Sequence, residues 1–397
     1  MKGKGGWDSF IRFLTKIYGF FVYGIRFRMT AEPMKEKIQG PAIIVSNHTS
    51  LIDWYYASRL FYRERIVFII ARTFYYNRIT RFFFEKTGNI PKSVFTRDYE
   101  SAKASLRVIK DGGILALFPE GRLTVSGRTQ TFDPSTPGFL KKCGVPVYGM
   151  HIQGGYLAKP KWAGKRKHPP VHVSSVLLFS ADDLKRLGVN EIAEKLENYM
   201  KNDDFKWLAE HPEINYPDRD LAKGLENILI TCPKCGSDFT LESKGTEIRC
   251  TKCGFEATLE PRYRFVSQYS CPHNFAESYD KQLILLKSLI NDESFQMKSH
   301  VTLYVPSNGI FTAVKKAGEG TCVLNRYGLT YTGTNDGKTD ILSFPLESMY
   351  CLTYASGKKF EIYSGKDYYR FVPDDKRQCI KWHLCSYLLN VRYNGRE

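Results

Sequence analysis

The sequence predicts an α/β domain over residues 31–225, followed by smaller units of a different character. Continuous apolar runs such as Ala42–Val45 and Ile114–Phe118 are typical of buried parallel strands, because strands with one wet face alternate instead. Amphipathic segments lie between these runs, and apolar runs alternating with helices indicate a layered α/β fold. A length of 397 residues allows two or three domains with real cores.

Further elements of this domain follow from the same patterns. The segment 98–110 predicts a helix with Ala102, Leu106 and Ile109 on one stripe, ended by Asp111-Gly112-Gly113. A single helix is expected over 181–200, close to the end of the domain. Additional strands are predicted at Ile66–Ile70, Val145–Met150 and Val173–Phe179.

The first strand ends in a polar segment that contains His48 and Asp53. Ligand sites of open α/β sheets lie at the carboxyl ends of the strands. An imidazole there can take a proton from a hydroxyl near neutral pH, and a nearby carboxylate can fix its tautomer. The alternative is a surface histidine beside an aspartate.

A second strand ends in Phe118-Pro119-Glu120-Gly121-Arg122-Leu123-Thr124. The pair NHxxxxD and FPEG, each after an apolar strand, resembles the glycerolipid acyltransferase family of lysophosphatidic acid acyltransferases. Two weaker blocks agree with it, Gly88–Pro91 leading to Thr96-Arg97-Asp98, and Gly144–Val147. The resemblance extends over residues 10 to 225.

The resemblance implies transfer of an acyl group from a thioester, acyl-CoA or acyl carrier protein, to the hydroxyl of a lysophospholipid. His48 would be the general base and Asp53 would hold it. Arg97 is the first candidate for the headgroup phosphate, with Arg122, Thr124 and the Gly121 backbone beside it. Glu120 would fix the loop or bind the glycerol; each of these residues could instead be structural.

The second motif departs from the usual FPEGTRS, because Arg122 stands one place early. This variant is similar to the acyltransferase half of fused 2-acylglycerophosphoethanolamine acyltransferases. Lysophosphatidic acid is the expected acceptor, and a lysophosphatidylethanolamine-like lipid is the alternative. An alternative of another class is a non-catalytic lipid-binding scaffold that kept the fold.

Positive charge is concentrated in the N-terminal part of the chain. Residues 1–170 hold 29 Lys and Arg against 11 Asp and Glu, whereas the net charge of the whole chain is +17. Such a surface suits anionic lipids, an acidic carrier protein or nucleic acid. The basic loop 159–167, which contains Trp162, could rest on lipid or be a solvated loop.

Residues 1–30 predict an amphipathic helix that lies in the membrane interface. Asp8, Arg12 and Lys16 belong to a narrow polar stripe, and aromatic residues such as Trp7 and Phe10 fill the other side. The charged residues interrupt any signal peptide or membrane span. A helix packed on its own domain is the alternative. The expected location is the cytoplasmic face of the cell membrane, as a peripheral or monotopic protein.

Residues 226–260 predict a zinc ribbon. Cys232 and Cys235 are separated by 14 residues from Cys250 and Cys253, so that two Cys-x2-Cys knuckles supply four thiolates for a structural Zn²⁺. Disulfides or free thiols are the alternative, although reduced thiols with a metal site suit the cytoplasm. No nucleic-acid partner is expected, because the ribbon has little basic excess; a spacer or docking module is favoured.

A helical linker over 261–299, with a helix at 274–290, is expected to lead into a β-rich α+β domain over 300–397. A last helix over 375–391 has Ile380, Leu384 and Leu388 on one side. By pattern this resembles a pleckstrin-homology-like roll, with a role in lipid binding, docking or packing. Its strands are predicted at 322–325, 329–332, 340–344, 349–354, 359–363 and 368–372, with turn residues between them.

Overall fold

The structure, a computed structural model, describes residues 17, 29–32, 37–61, 64–164, 170–310 and 312–395. The amphipathic helix predicted over residues 1–30 lies outside the described residues, apart from Ile17 and the start of the first strand. In the part of the chain that is described, none of the helices combines the length and the apolar composition that crossing a membrane requires.

The N-terminal domain is built on a seven-stranded sheet. Its strands are β1 (Met29–Glu32), β2 (Ala42–Ser46), β3 (Ile66–Ala71), β4 (Ile90–Lys92), β5 (Ile114–Leu117), β6 (Val147–Gln153) and β7 (Val171–Phe179). They lie in the order β1-β7-β6-β2-β5-β3-β4, and all neighbours are parallel except β6 and β7. Because β2 and β5 are parallel neighbours, the segments that follow them meet at one edge of the sheet.

Helices cover both faces of this sheet. They are α1 (Asp53–Leu60), α2 (Arg78–Lys86), α3 (Tyr99–Lys110), α4 (Thr136–Cys143), α5 (Gly155–Ala158), α6 (Ala181–Arg186), α7 (Val189–Met200) and α8 (Asp204–Glu210). Successive residues of β2 enter different cores: Ile43 packs with Leu140 and Leu196, whereas Ile44 packs with Tyr56 on the other side. The predicted α/β fold and the unbroken apolar strand are therefore confirmed.

The single helix predicted over 181–200 is wrong, because the chain forms α6 and α7 with a break at Leu187 and Gly188. Gly188 is extended, with φ −70° and ψ 163°. Its N–H donates to the Glu191 carboxylate at 2.7 Å, which caps the second helix. A local cap thus overrides the continuous helical pattern.

The cysteine-containing unit has four short strands, β8 (Leu241–Lys244), β9 (Glu247–Cys250), β10 (Glu256–Leu259) and β11 (Phe265–Val266), in the order β11-β10-β9-β8. It packs against both of its neighbours. Tyr263 donates to the Leu157 carbonyl at 2.6 Å, and Arg377 of the C-terminal region donates to the Phe239 carbonyl at 2.6 Å. The unit therefore lies between the two domains and contacts both of them.

The C-terminal region holds a second seven-stranded sheet, ordered β15-β14-β13-β12-β18-β17-β16 and antiparallel throughout. Its elements are α9 (Phe275–Asn291), β12 (Gln296–Pro306), β13 (Val314–Asn325), β14 (Gly328–Asn335), β15 (Lys338–Pro345), β16 (Thr353–Ala355), β17 (Lys359–Ser364), β18 (Asp367–Pro373) and α10 (Cys379–Tyr393). The predicted β-rich domain with a C-terminal helix is present, and its resemblance to a pleckstrin-homology-like roll stays a prediction.

Helix α10 covers the sheet and bonds to a segment that the sequence predicts to be a strand. Trp382 stacks on Phe360 with ring centroids 4.8 Å apart. The strand predicted at 349–354 is wrong over most of its length, because only Thr353–Ala355 pairs with β17. The preceding backbone bonds to the helix instead: Asn390 donates to the Met349 carbonyl, and the Leu352 N–H donates to Ser386.

The C-terminal domain lies directly on the N-terminal one. The rings of Phe95 and Tyr350 stack with centroids 5.0 Å apart. Arg81 donates to the Asn308 side chain at 2.8 Å, and the Thr73 N–H donates to the Tyr363 hydroxyl at 3.0 Å. The segments that follow β3 and β4 are thus covered by residues far away in sequence.

Candidate active site and metal centre

His48 and Asp53 meet at the end of β2. Nδ1 of His48 lies 2.8 Å from Oδ2 of Asp53, and the imidazole stacks on Phe118 with centroids 4.4 Å apart. The His48 side chain is 22% exposed and lines a large cavity, whereas that of Asp53 is fully buried. Within the described residues, Nε2 of His48 makes no hydrogen bond, so this nitrogen is available to a ligand in the cavity.

The Asp53 side chain is held in place by the segment that precedes it. It accepts hydrogen bonds from the backbone N–H and hydroxyl groups of both Thr49 and Ser50, at 2.6 to 3.1 Å. These contacts fix the position of the carboxylate against Nδ1 of His48. A carboxylate on Nδ1 places the proton there and leaves Nε2 as the base.

Asn47, for which the sequence predicts no role, fixes the start of this segment. It is 2% exposed; its side-chain amide donates to the Ile152 carbonyl at 2.8 Å and accepts from the Ile152 N–H at 2.9 Å. This pair of bonds joins the end of β2 to β6 and so orients His48. Its position between a buried strand and His48 was the only sequence signal.

We expect Asn47→Ala to lower the free energy of unfolding by about 2 to 4 kcal/mol, because it leaves a buried N–H and a buried carbonyl without partners. Urea unfolding would measure this, with the exposed Asn198→Ala as the control. A loss no larger than that of the control would contradict the positioning role.

Glu120 connects the two halves of the site. It is buried, and its two oxygens accept from the backbone N–H groups of His48 at 2.8 Å and Gln130 at 3.0 Å. Burial raises the pKa of Glu120 to about 7, against the opposing effect of these two bonds. Of the two roles open to Glu120, the geometry favours fixing the loop.

Gly121 and Thr124 are also engaged within the loop. The Gly121 N–H donates to the Phe118 carbonyl at 2.9 Å, and the Thr124 N–H donates to the His48 carbonyl at 2.9 Å. The buried Thr124 hydroxyl donates to the Arg128 carbonyl and accepts from the Gly127 N–H. Both residues thus shape the turn. The donors at these atoms are already used within the loop, so they are not free for the expected contact with a phosphate.

A cavity of about 2620 Å³ opens from His48 and is walled by both domains. Arg97 lines it from an exposed position before α3, and Arg122 lines it beneath the C-terminal domain. Its apolar wall is formed by Leu51, Trp54, Ile69, Phe74, Phe83, Phe84, Leu117 and Phe139. The arrangement offers one base, separate cationic groups and space for a long apolar chain.

The four predicted metal ligands come together. The Sγ atoms of Cys232, Cys235, Cys250 and Cys253 all lie within 4.8 Å of one another. The separations Cys232–Cys253 and Cys235–Cys250 are 3.7 and 3.8 Å. Four sulfurs at ~2.3 Å from a tetrahedral Zn²⁺ would be ~3.8 Å apart, so the cluster fits zinc with no open position.

The two knuckles have the turns that such a site needs. Gly236 and Gly254 follow the second cysteine of each pair and have φ values of +69° and +67°, which favour glycine. Their N–H groups donate to the carbonyls of Cys232 and Cys250. The cysteines outside the cluster, such as Cys143 and Cys271, are free.

Comparison with known proteins gives matches to two family models and to several solved structures. Residues 26–153 match the model described as acyltransferase, and residues 226–264 match a zinc-ribbon model described as DNA-directed RNA polymerase, 7 kDa subunit. The crystal structure of the 1-acyl-sn-glycerophosphate acyltransferase from Thermotoga maritima is similar at 17% identity and a TM-score of 0.43, over 50% of this chain and 80% of that one. No curated protein matches the chain.

These findings confirm two predictions made from the motifs. The match to the acyltransferase model includes both His48 and the Phe118–Gly121 segment, and the ribbon match includes all four clustered cysteines. The prediction of an O-acyltransferase is confirmed at the level of its domain. The chain therefore carries a domain of the acyltransferase family over residues 26–153 and a zinc-ribbon segment behind it.

Proposed function

We propose that this protein transfers a fatty acyl group from a thioester, acyl-CoA or acyl carrier protein, to the free hydroxyl of lysophosphatidic acid. The observation that carries the proposal is the His48–Asp53 pair, 2.8 Å apart, at the wall of a cavity of about 2620 Å³. A base with an oriented tautomer that faces the cavity is what an alcohol acceptor requires, and a scaffold has no need of it.

The reaction needs no nucleophile from the protein. Nε2 of His48 takes the proton of the acceptor hydroxyl, whose oxygen attacks the thioester carbonyl. The new C–O bond forms, the C–S bond breaks, and the proton held by His48 goes to the leaving thiolate. Asp53 keeps the proton on Nδ1 throughout and stabilises the imidazolium that forms in between.

The wall of the cavity supports a lipid acceptor. Its aromatic and aliphatic side chains suit an acyl chain, and Arg97 stands at an exposed position where a headgroup phosphate can reach it. The shifted arginine of the second motif, Arg122, favours a lysophosphatidylethanolamine-like acceptor as the second candidate.

A membrane surface beside the cavity is part of the proposal. Helix α2 exposes Ile79, Phe82 and Phe83, and Leu51 is 60% exposed close by on the cavity wall. Together with the basic charge of residues 1–170, this surface suits anionic lipid. We place the protein at the cytoplasmic face of the cell membrane, peripheral or monotopic.

Acyl transfer by the purified full chain tests the function. Lysophosphatidic acid and lysophosphatidylethanolamine are offered separately in vesicles, each with acyl-CoA and with acyl carrier protein, and thiol release and product lipid are measured. We expect turnover with lysophosphatidic acid. Turnover with lysophosphatidylethanolamine alone would move the assignment to the second candidate, and a folded protein inert with all four pairs would favour the scaffold.

A further inference from the structure

Arg122 lies in a cage that the C-terminal domain closes. Its Nη1 is 3.5 Å from Nε2 of His383 and 3.7 Å from Sγ of Cys351, and the guanidinium lies 4.5 Å from the centroid of the Tyr387 ring. Its Nε is buried and has no hydrogen-bond partner among the described residues. No carboxylate of the described residues forms an ion pair with Arg122. Both oxygens of the nearby Glu120 accept from backbone N–H groups instead.

Lys161 is a second cation in the same place. Its Nζ lies 4.8 Å from the centroid of the Tyr354 ring, and no carboxylate within the described residues forms an ion pair with it. Burial, and next the charge of Arg122, lower the pKa of Lys161 to about 8. This residue comes from the basic loop, which is not a solvated loop at this point: Trp162 beside it is 5% exposed and donates to the Leu221 carbonyl at 3.0 Å.

Aromatic rings join the two cations into one cluster. Tyr354 stacks on His383 with centroids 4.7 Å apart, and the Tyr354 hydroxyl is buried with no partner in the described chain. Nδ1 of His383 donates to the Leu352 carbonyl at 2.5 Å. Burial, and next the charge of Arg122, lower the pKa of His383 well below its usual range against the raising effect of that bond, so that the ring is neutral. Its Nε2 therefore accepts from Arg122 and competes for no anion.

Arg122 and Lys161 are half-buried cations without an ion-pair partner in the described residues, and the Arg122 Nε and the Tyr354 hydroxyl are buried donors without an acceptor there, an arrangement that costs free energy. An anion that accepts from these groups would repay that cost through charge-assisted hydrogen bonds. Arg122, Lys161, Tyr354 and His383 all line the cavity that begins at His48. A ligand in that cavity can therefore reach the cluster.

We propose that Arg122, Lys161 and Tyr354 form a binding site for a phosphate monoester, completed by the C-terminal domain. Both Lys161 and Tyr354 lie outside the acyltransferase match at 26–153, and Tyr354 belongs to the C-terminal sheet, so that the appended domain takes part in ligand selection. The phosphate can belong to the lysolipid headgroup or to the CoA of the donor. The site deepens the proposed function, although binding at the site requires no turnover.

Isothermal titration calorimetry of the full chain tests this site. The probes are short-chain lysophosphatidic acid, CoA and, as a lipid without phosphate, a short-chain monoacylglycerol. The variants are Lys161→Met and Tyr354→Phe, with Lys142→Met as a matched control that removes one exposed charge away from the cavity. A thermal melt of each variant verifies folding.

We expect Lys161→Met to weaken the binding of one phosphate ligand by about 10- to 100-fold, and Tyr354→Phe to weaken it by about 2- to 10-fold. The affinity for monoacylglycerol should be unchanged in both variants. A loss confined to lysophosphatidic acid assigns the phosphate to the headgroup, and a loss confined to CoA assigns it to the donor. If Lys161→Met binds both as the Lys142→Met control does, the site is overturned. Failure of acyl transfer would leave this result standing, because the assay measures binding alone.

Discussion

His48→Ala is expected to reduce the rate of acyl transfer by at least about 10²-fold, because it removes the group that takes the acceptor proton. His48 is suited to this role by its contacts: Nδ1 faces Asp53 at 2.8 Å, and Phe118 holds the ring by stacking. The change should lower kcat with little effect on binding of the lysolipid. Product formation at saturating acceptor and donor measures it.

A second histidine–aspartate pair provides a matched control. His300 and Asp374 lie 3.2 Å apart in the C-terminal sheet, outside the cavity wall. His300→Ala removes the same side chain from a similar pair and should leave the rate within a factor of about two, as an exposed pair contributes little. Equal rates for the two variants would show that His48 is not the base.

Asp53→Asn probes the positioning of that base. The carboxylate accepts from two backbone N–H groups and two hydroxyls besides His48. In either orientation, the NH₂ of an asparagine would face a backbone N–H that cannot reorient. We expect a loss of rate comparable to that of His48→Ala, with the pH profile of the residual activity altered because Nδ1 loses its acceptor. A lower melting temperature alone, with the rate unchanged, would assign Asp53 a structural role only.

The parts of the site that sequence could predict are those that lie close together along the chain. His48 and Asp53 follow one apolar strand, and Phe118–Gly121 follow another; parallel pairing of β2 and β5 brings them together, as expected. Strand patterns, a terminal His and a nearby Asp are local signals. The same holds for the cysteine knuckles, whose spacing determines the cluster.

What sequence could not predict depends on contacts between distant segments. The partner of Arg122 is His383, 261 residues away. Lys161 belongs to a charge run that is typical of a solvated loop, and only the packing of Trp162 under helix α9, with Phe275 at 4.6 Å, shows that this part of the loop is buried. Thr124 stands beside the site in sequence, yet its hydroxyl is used by the turn.

The zinc-ribbon segment should be the part of the chain most sensitive to loss of its ligands. We expect the purified protein to contain a stoichiometric zinc ion and Cys250→Ser to lose it. Apparent binding free energies for structural zinc in zinc-finger peptides are about 10 to 16 kcal/mol, so folding of this segment depends on the metal. Elemental analysis and hydrogen exchange over residues 226–266 measure the two effects.

The consequence should extend beyond the ribbon, because the ribbon packs on both neighbouring domains. Tyr263 bonds to Leu157 on one side, and Arg377 bonds to Phe239 on the other. When the ribbon unfolds, the C-terminal domain loses part of its support over the cavity, and hydrogen exchange should also rise around Phe95 and Tyr350, whose rings stack across the domain boundary.

Cys271→Ser is the matched control, as Cys271 is half-buried and outside the cluster. Equal zinc content and equal exchange in the two variants would exclude the four-cysteine site, whereas zinc loss with no change at the Phe95–Tyr350 contact would confine the role of the metal to the ribbon itself.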